Sequence, residues 1–138
     1  MPLHHLIYLS TPTVSFSSQQ LQDLLQVCRL NNARSELTGV LFYGQRHFMQ
    51  LIEGEQDKVY ALYEHLRQDA RHKNLIKIAD KPIQARGFAD WSMAFQCLEG
   101  AEAEQGFQQL ESVTLERPML AAADALLLET MRQRLLAE

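Results

Sequence analysis

Four polar side chains fall where apolar periodicity places a core, and their types suit one kind of ligand. Asn31 and Asn32 continue the stripes Leu24-Cys28-Asn31 and Leu21-Leu25-Cys28-Asn32. Steps of three and four put both amides on the buried face of a helix that persists that far. The same two residues also fit a helix end, where asparagine is common and its amide caps carbonyls. Gln50 lies between Phe48 and Ile52 on one face of the run HFMQLIE, and Tyr8 shares a face with Leu6 in LIYLS. A buried glutamine left unpaired costs about 1–3 kcal/mol, so Gln50 requires partners. Taken singly, each residue has an ordinary reading: a core tyrosine with a satisfied hydroxyl, or a glutamine at a sheet edge. Together they supply donors and acceptors for a flat heterocycle bearing carbonyls and ring N–H groups.

Other chemistries find less support. Cys28 and Cys97 are far apart and in no CxxC pair, which fits buried reduced thiols. The five histidines form no HExxH or His/Cys ligand set, and the adjacent His4 and His5 point to opposite faces of a strand. No metal site is expected. No Gly-rich phosphate loop marks a dinucleotide fold. A small ferredoxin-like hydrolase would need a nucleophile–base pair, and no such spacing stands out. The net charge is -4 without a dense Lys/Arg run, which argues against a nucleic-acid footprint and against a polybasic membrane anchor. The start MPLHHLIYLS lacks the basic opening and long apolar run of a signal peptide, and no run approaches a membrane span. A cytoplasmic location is expected.

The elements that must hold these residues follow from pattern. With 138 residues, 46% hydrophobic and 22% charged, the chain suits one globular core plus a helical tail. HHLIYLS reads as a first strand, about residues 3 to 10. Ser17 with Gln20 fits a capping box that opens the first helix. LTGVLFYGQRHFMQLIEG reads as a hairpin turning at Gly44-Gln45-Arg46 and ending at Gly54. In EQDKVYALYEHLRQDA, Val59, Leu62, Tyr63 and Leu66 share a helical face. NLIKIAD is a fourth strand, KPIQARGFAD a loop, and WSMAFQC a fifth strand on which Trp91, Met93 and Phe95 share parity. The order β-α-β-β-α-β-β predicts an α+β, ferredoxin-like arrangement with two helices over one face of a mixed sheet. Beyond Gly100, AEAEQGFQQLESV and PMLAAADALLLETMRQRLLAE read as two more helices, with Pro118 at a first-turn position. The last carries Leu120, Leu127 and Met131 with Leu128 and Leu135 beside them. That is more apolar surface than one helix needs, so packing on the free sheet face plus an oligomer or partner interface is expected.

At this point the chain resembles a known family. Tyr8 in LIYLS, NNAR followed by LTGVLFY, then FMQLIEG, DARH and WSMAF are together similar to a BLUF domain, the sensor of blue light using flavin. The likeness covers about residues 3 to 97, and implies a BLUF domain over residues 1–98 with a C-terminal helical extension over residues 99–138. It implies a noncovalent flavin, FAD with FMN as the alternative, lying between the two helices above the sheet. By the same resemblance Asn32 would meet the ring near its C4 carbonyl and N3, Asn31 would lie toward the C2 carbonyl and ribityl side, and Gln50 would bridge Tyr8 to the N5/O4 edge. Some members carry histidine where this chain has Asn31. Leu66 would pack on the ring, and Arg71 and His72 match family positions near the flavin. Light would drive electron transfer from Tyr8 with proton movement through Gln50, leaving Gln50 in an altered rotamer or tautomer. Trp91 and Met93 match family positions with alternative placements, while Phe95 reads as core. The resemblance implies a sensor rather than an enzyme, signalling to a protein partner and assembling as a homo-oligomer. The alternatives are a ferredoxin-like binding or interaction domain without photochemistry, or the hydrolase considered above.

Overall fold

Ser17 opens the first helix as the spacing predicts: its hydroxyl accepts from the Gln20 amide while the Gln20 side chain accepts from the Ser17 amide. The computed structural model describes residues 2–14, 16–44, 47–89, 92–97 and 119–137, with the side chains of 94–97 and 134–137 outside that description. Gln45, Arg46, Trp91, Pro118 and the helix expected over AEAEQGFQQLESV lie outside the described residues. The elements in chain order are β1 (Leu3–Pro12), α1 (Ser18–Arg34), β2 (Thr38–Tyr43), β3 (Phe48–Glu55), α2 (Gln56–Arg67), β4 (His72–Ile83), β5 (Ala94–Cys97) and α3 (Ala122–Ala137).

The strands form one sheet in the order β4-β1-β3-β2-β5. The first four pair antiparallel and β5 joins β2 in parallel, so the sheet is mixed and the α+β, ferredoxin-like reading holds. Gly39 and Leu51 show why β2 and β3 can lie so close. A Cβ at Gly39 would come within 1.9 Å of the Leu51 carbonyl oxygen, so only glycine permits that approach.

Strand parity divides the core in two. Leu6, Tyr8, Leu41, Phe48, Gln50 and Ile52 face α1 and α2, which contribute Leu21, Leu25 and Val59. Ile7, Val40, Phe42, Met49 and Leu51 face the other way, onto Leu120 and Leu128. The last helix therefore covers the second face of the sheet, with Leu128 fully buried and Leu127 and Met131 packed at the edge of that cluster. Leu135 lies among the undescribed side chains.

Three strands differ in their bounds from the sequence reading. β4 runs from His72 to Ile83, beyond both ends of NLIKIAD, because its ladder with β1 extends from Pro12↔His72 to Leu3↔Ile83. β5 begins at Ala94 rather than at residue 91, since its ladder with β2 starts at Val40↔Ala94. Gly54 lies inside β3 instead of ending it.

Candidate functional site

The last turn of α1 decides where its asparagines point. The helix ends in a Schellman motif: the Leu37 amide donates to the Asn32 carbonyl at 2.8 Å and the Glu36 amide to the Ala33 carbonyl at 3.3 Å. Glu36, at φ 56°, takes the left-handed position. Capping is thus done downstream of the asparagines, and both belong to the helix proper. Asn32 is buried at 3% exposure, while Asn31 lies one step round the helix at the exposed rim. Their backbones serve the helix end, and their amides are left for other work.

Below α1 and α2 lies a cleft of about 130 Å³, lined by Tyr8, Asn31, Asn32, Gln50, Leu66 and Arg71 among others. Its floor is set by sheet register, because Tyr8 and Gln50 are direct neighbours across β1 and β3. The Tyr8 hydroxyl donates to Gln50 Oε1 at 2.6 Å, and both residues are buried. Burial is the main influence on the phenol, followed by Cys28, Tyr63 and Asp69, and it pushes Tyr8 well above the ordinary tyrosine range. The phenol is therefore a firmly protonated donor. On its other side the Gln50 amide donates from Nε2 to Met93 Sδ at 3.5 Å. Asn32 Nδ2 donates to the Ser92 carbonyl at 3.0 Å, leaving Oδ1 without a partner among the described residues.

His72 and Arg71 differ in how much they have left to offer. Ser10 Oγ lies 2.7 Å from His72 Nδ1, and His72 Nε2 lies 2.6 Å from the Leu66 carbonyl. The carbonyl can only accept, so Nε2 donates to it, while Nδ1 is engaged by the serine hydroxyl. Both ring nitrogens are engaged, and His72 contributes a wall, with its ring edge toward Tyr8. Arg71 lies at the exposed mouth, where Nε and Nη2 grip Asp69 at 3.0 and 2.6 Å. That hydrogen bonding, against a smaller opposing effect of burial, holds the Asp69 carboxyl down at about 2.

The structure thus gathers Tyr8, Asn31, Asn32, Gln50, Leu66, Arg71 and His72 around one cleft, with Met93 touching Gln50 from behind. Two contributors escaped the sequence reading. Cys28 lines the cleft and is only partly buried, where a core thiol was expected; its burial raises its pKa. Arg29 donates from Nε to the Met93 carbonyl at 3.0 Å. Its only signal in the sequence was its position, three residues before Asn32 on the same helix. Amide and phenol groups at the base of a largely apolar slot suit a planar ring with carbonyl and N–H edges, and a flavin fits that description.

The family model for sensors of blue light using FAD matches residues 3–94. The chain belongs to the BLUF family. It is 34% identical over 89 residues to a photoactivated adenylate cyclase subunit beta of Euglena longa, covering 64% of this chain and 10% of the relative. It is 30% identical over 75 residues to the blue light- and temperature-regulated antirepressor BluF of Escherichia coli K12, covering 54% of this chain and 19% of that protein. The match therefore spans a fifth or less of these curated relatives. Among solved structures, the dark state of the BLUF protein BlrB superposes with a TM-score of 0.68 at 30% identity, covering 74% of this chain and 77% of BlrB. The photo-activated state of BlsA superposes with a TM-score of 0.68 at 25% identity, covering 99% and 96%. This chain thus carries a BLUF sensor domain of the blue-light flavin photoreceptor family. No helix among the described residues is long and apolar enough to cross a membrane.

Proposed function

We propose that the protein is a blue-light photoreceptor that holds a flavin noncovalently in the α1–α2 cleft and signals through protein contacts rather than by catalysis. The observation that carries this reading is the buried Tyr8–Gln50 hydrogen bond of 2.6 Å on the cleft floor, beside Asn32, whose Oδ1 has no partner among the described residues. Asn32 Oδ1 would accept from a ring N–H, and the second hydrogen of its Nδ2 would serve the neighbouring carbonyl. Asn31, at the rim, would lie toward the opposite carbonyl and the ribityl side. Leu66 would pack on the ring. Arg71 at the exposed mouth would stand toward the phosphate that FAD and FMN share, with FAD the first choice of cofactor and FMN the shorter alternative.

A flavin bound there supplies blue-light absorption and, once excited, a strong one-electron oxidant. Tyr8 gives up one electron, and its phenolic proton follows the existing hydrogen bond to Gln50 Oε1. The return of electron and proton restores Tyr8 and leaves Gln50 as an altered rotamer or tautomer. Coupling the two transfers is favoured because a charged phenol at this buried position is costly. The rearranged amide changes its bonds to Met93 and to the ring edge, a small local change that biases a larger element. Trp91 is a further candidate for that switch.

The signal passes from the sensor domain over residues 1–98 to the extension over residues 99–138. Met119 and Leu126 are 61% and 69% exposed on the extension, which supports a protein partner or a second copy of the chain at that surface. The test is an absorption spectrum before and after blue light. A yellow protein with a reversible red shift supports the reading, and a colourless protein, or a yellow one with no shift, contradicts it.

A further inference from the structure

Ser92 and Met93 sit just ahead of the β5 ladder, so no ladder register reaches them. Their two carbonyls are held instead by side chains of α1, Asn32 to Ser92 and Arg29 to Met93, each at 3.0 Å. Arg29 and Asn32 are three residues apart, which makes them neighbours on one helix face. One of the pair thus belongs to the cleft, while the other holds the backbone of the residue whose sulfur touches Gln50.

Gln50 is pinned from two sides. Its Oε1 is held by Tyr8 at 2.6 Å, and its Nε2 is held by Met93 Sδ at 3.5 Å. A thioether is a weak acceptor, so the sulfur contact is the one that gives way when the amide turns. The Met93 side chain is 1% exposed, and its position follows its backbone. That backbone is secured by a charge-assisted hydrogen bond, the strong kind. The thioether contact is therefore only as well placed as the guanidinium that anchors it.

We infer that Arg29 is a positioning residue for the light reaction: by holding the Met93 carbonyl it seats Met93 Sδ on the Gln50 amide and thereby favours the dark orientation of that amide. The inference rests on the photoreceptor reading above. Loss of the anchor weakens a contact made in the dark arrangement, and the return from the lit arrangement slows to the extent that the contact is re-formed in the barrier.

The test compares parent, Arg29→Met, Arg29→Lys, Met93→Leu and the Arg29→Met/Met93→Leu double variant, all flavin-loaded, by the rate of thermal recovery after blue light. Arg29→Met keeps the apolar stem and loses the donor. It should retain flavin and recover more slowly by about two- to tenfold, the range one net hydrogen bond supports. Arg29→Lys should lie between it and the parent. In the Met93→Leu background the Arg29→Met change should add nothing, because both act through one sulfur contact. In flavin-free protein, the Met93 methyl resonance should shift in Arg29→Met. Parent-like recovery of Arg29→Met, or an equal slowing with and without Met93, overturns the inference while leaving the photoreceptor reading intact. A parent without any reversible shift overturns both.

Discussion

Under the proposed function, Asn32 would serve cofactor and scaffold at once. Its Nδ2 holds the Ser92 carbonyl at 3.0 Å, the residue lines the cleft, and its own carbonyl closes the end of α1. Asn32→Ala is expected to loosen flavin binding and displace the absorption band. Each lost hydrogen bond is worth about 0.5–1.5 kcal/mol net, so retention should fall by roughly two- to tenfold per bond. Flavin content after gel filtration measures it, and unchanged content with an unchanged band would contradict the inward placement. The burial of Tyr8, Gln50 and Asn32 was legible in the sequence because polar residues broke otherwise apolar stripes, whereas Asn31, expected on the same buried face, is exposed at the rim. Arg29 was not, since a carbonyl partner at the far end of a long-range contact leaves no periodic trace.

At the scale of elements, local rules read correctly wherever the determinant was local. The Ser17/Gln20 capping box opens α1 at the expected place, and the alternation in β1 and β3 separates the two core faces. The misread boundaries depend on distant partners: β4 gains its extra length from β1, while β5 gives up residues 92 and 93 to side chains of α1. The end of α1 was ambiguous because its left-handed residue is Glu36 rather than glycine. Its side chain is 80% exposed, so little packing compensates that conformation. Left-handed geometry costs an L-residue about 1–2 kcal/mol, of which the greater unfolded-state entropy of glycine returns about half. Glu36→Gly is therefore expected to stabilise the fold by up to about 1 kcal/mol. A thermal midpoint equal to or below that of the parent would contradict it.

Across the whole molecule, the sheet is a septum between the α1–α2 cleft and α3, and the second face contains a cost. His5 is 1% exposed, and neither ring nitrogen has a hydrogen-bond partner among the described residues. Asp124 of α3 lies 3.9 Å away and is itself paired with Lys81 of β4 at 2.8 Å. Glu53 of β3 is its cross-strand neighbour and is occupied by the amides of Gly87 and Phe88. Burial lowers the His5 pKa below 6.5; Asp124 and Asp80 oppose that effect, while Lys81 and His4 reinforce it. The unfolded chain therefore binds this proton more readily than the folded one. Stability linked to His5 is complete above its unfolded value of 6.5 and is lost as pH falls from there toward the lower folded value. Asp69, held at about 2, titrates well below that window. The thermal midpoint should drop between pH 7 and 5, and His5→Phe should flatten the drop. An equal slope in both proteins would show that other groups are responsible. That the tail would cover the free sheet face was readable from its surplus of leucines, but the His5–Asp124 approach depends on the docking of α3 and was not. The central claim is that light is converted at Tyr8, and light-minus-dark absorption of flavin-loaded Tyr8→Phe tests it most directly. The substitution removes one hydroxyl and keeps the ring, so the variant should fold, remain yellow and show no normal reversible red shift. A Tyr8→Phe protein that photoconverts like the parent would place the electron donor elsewhere and contradict the account.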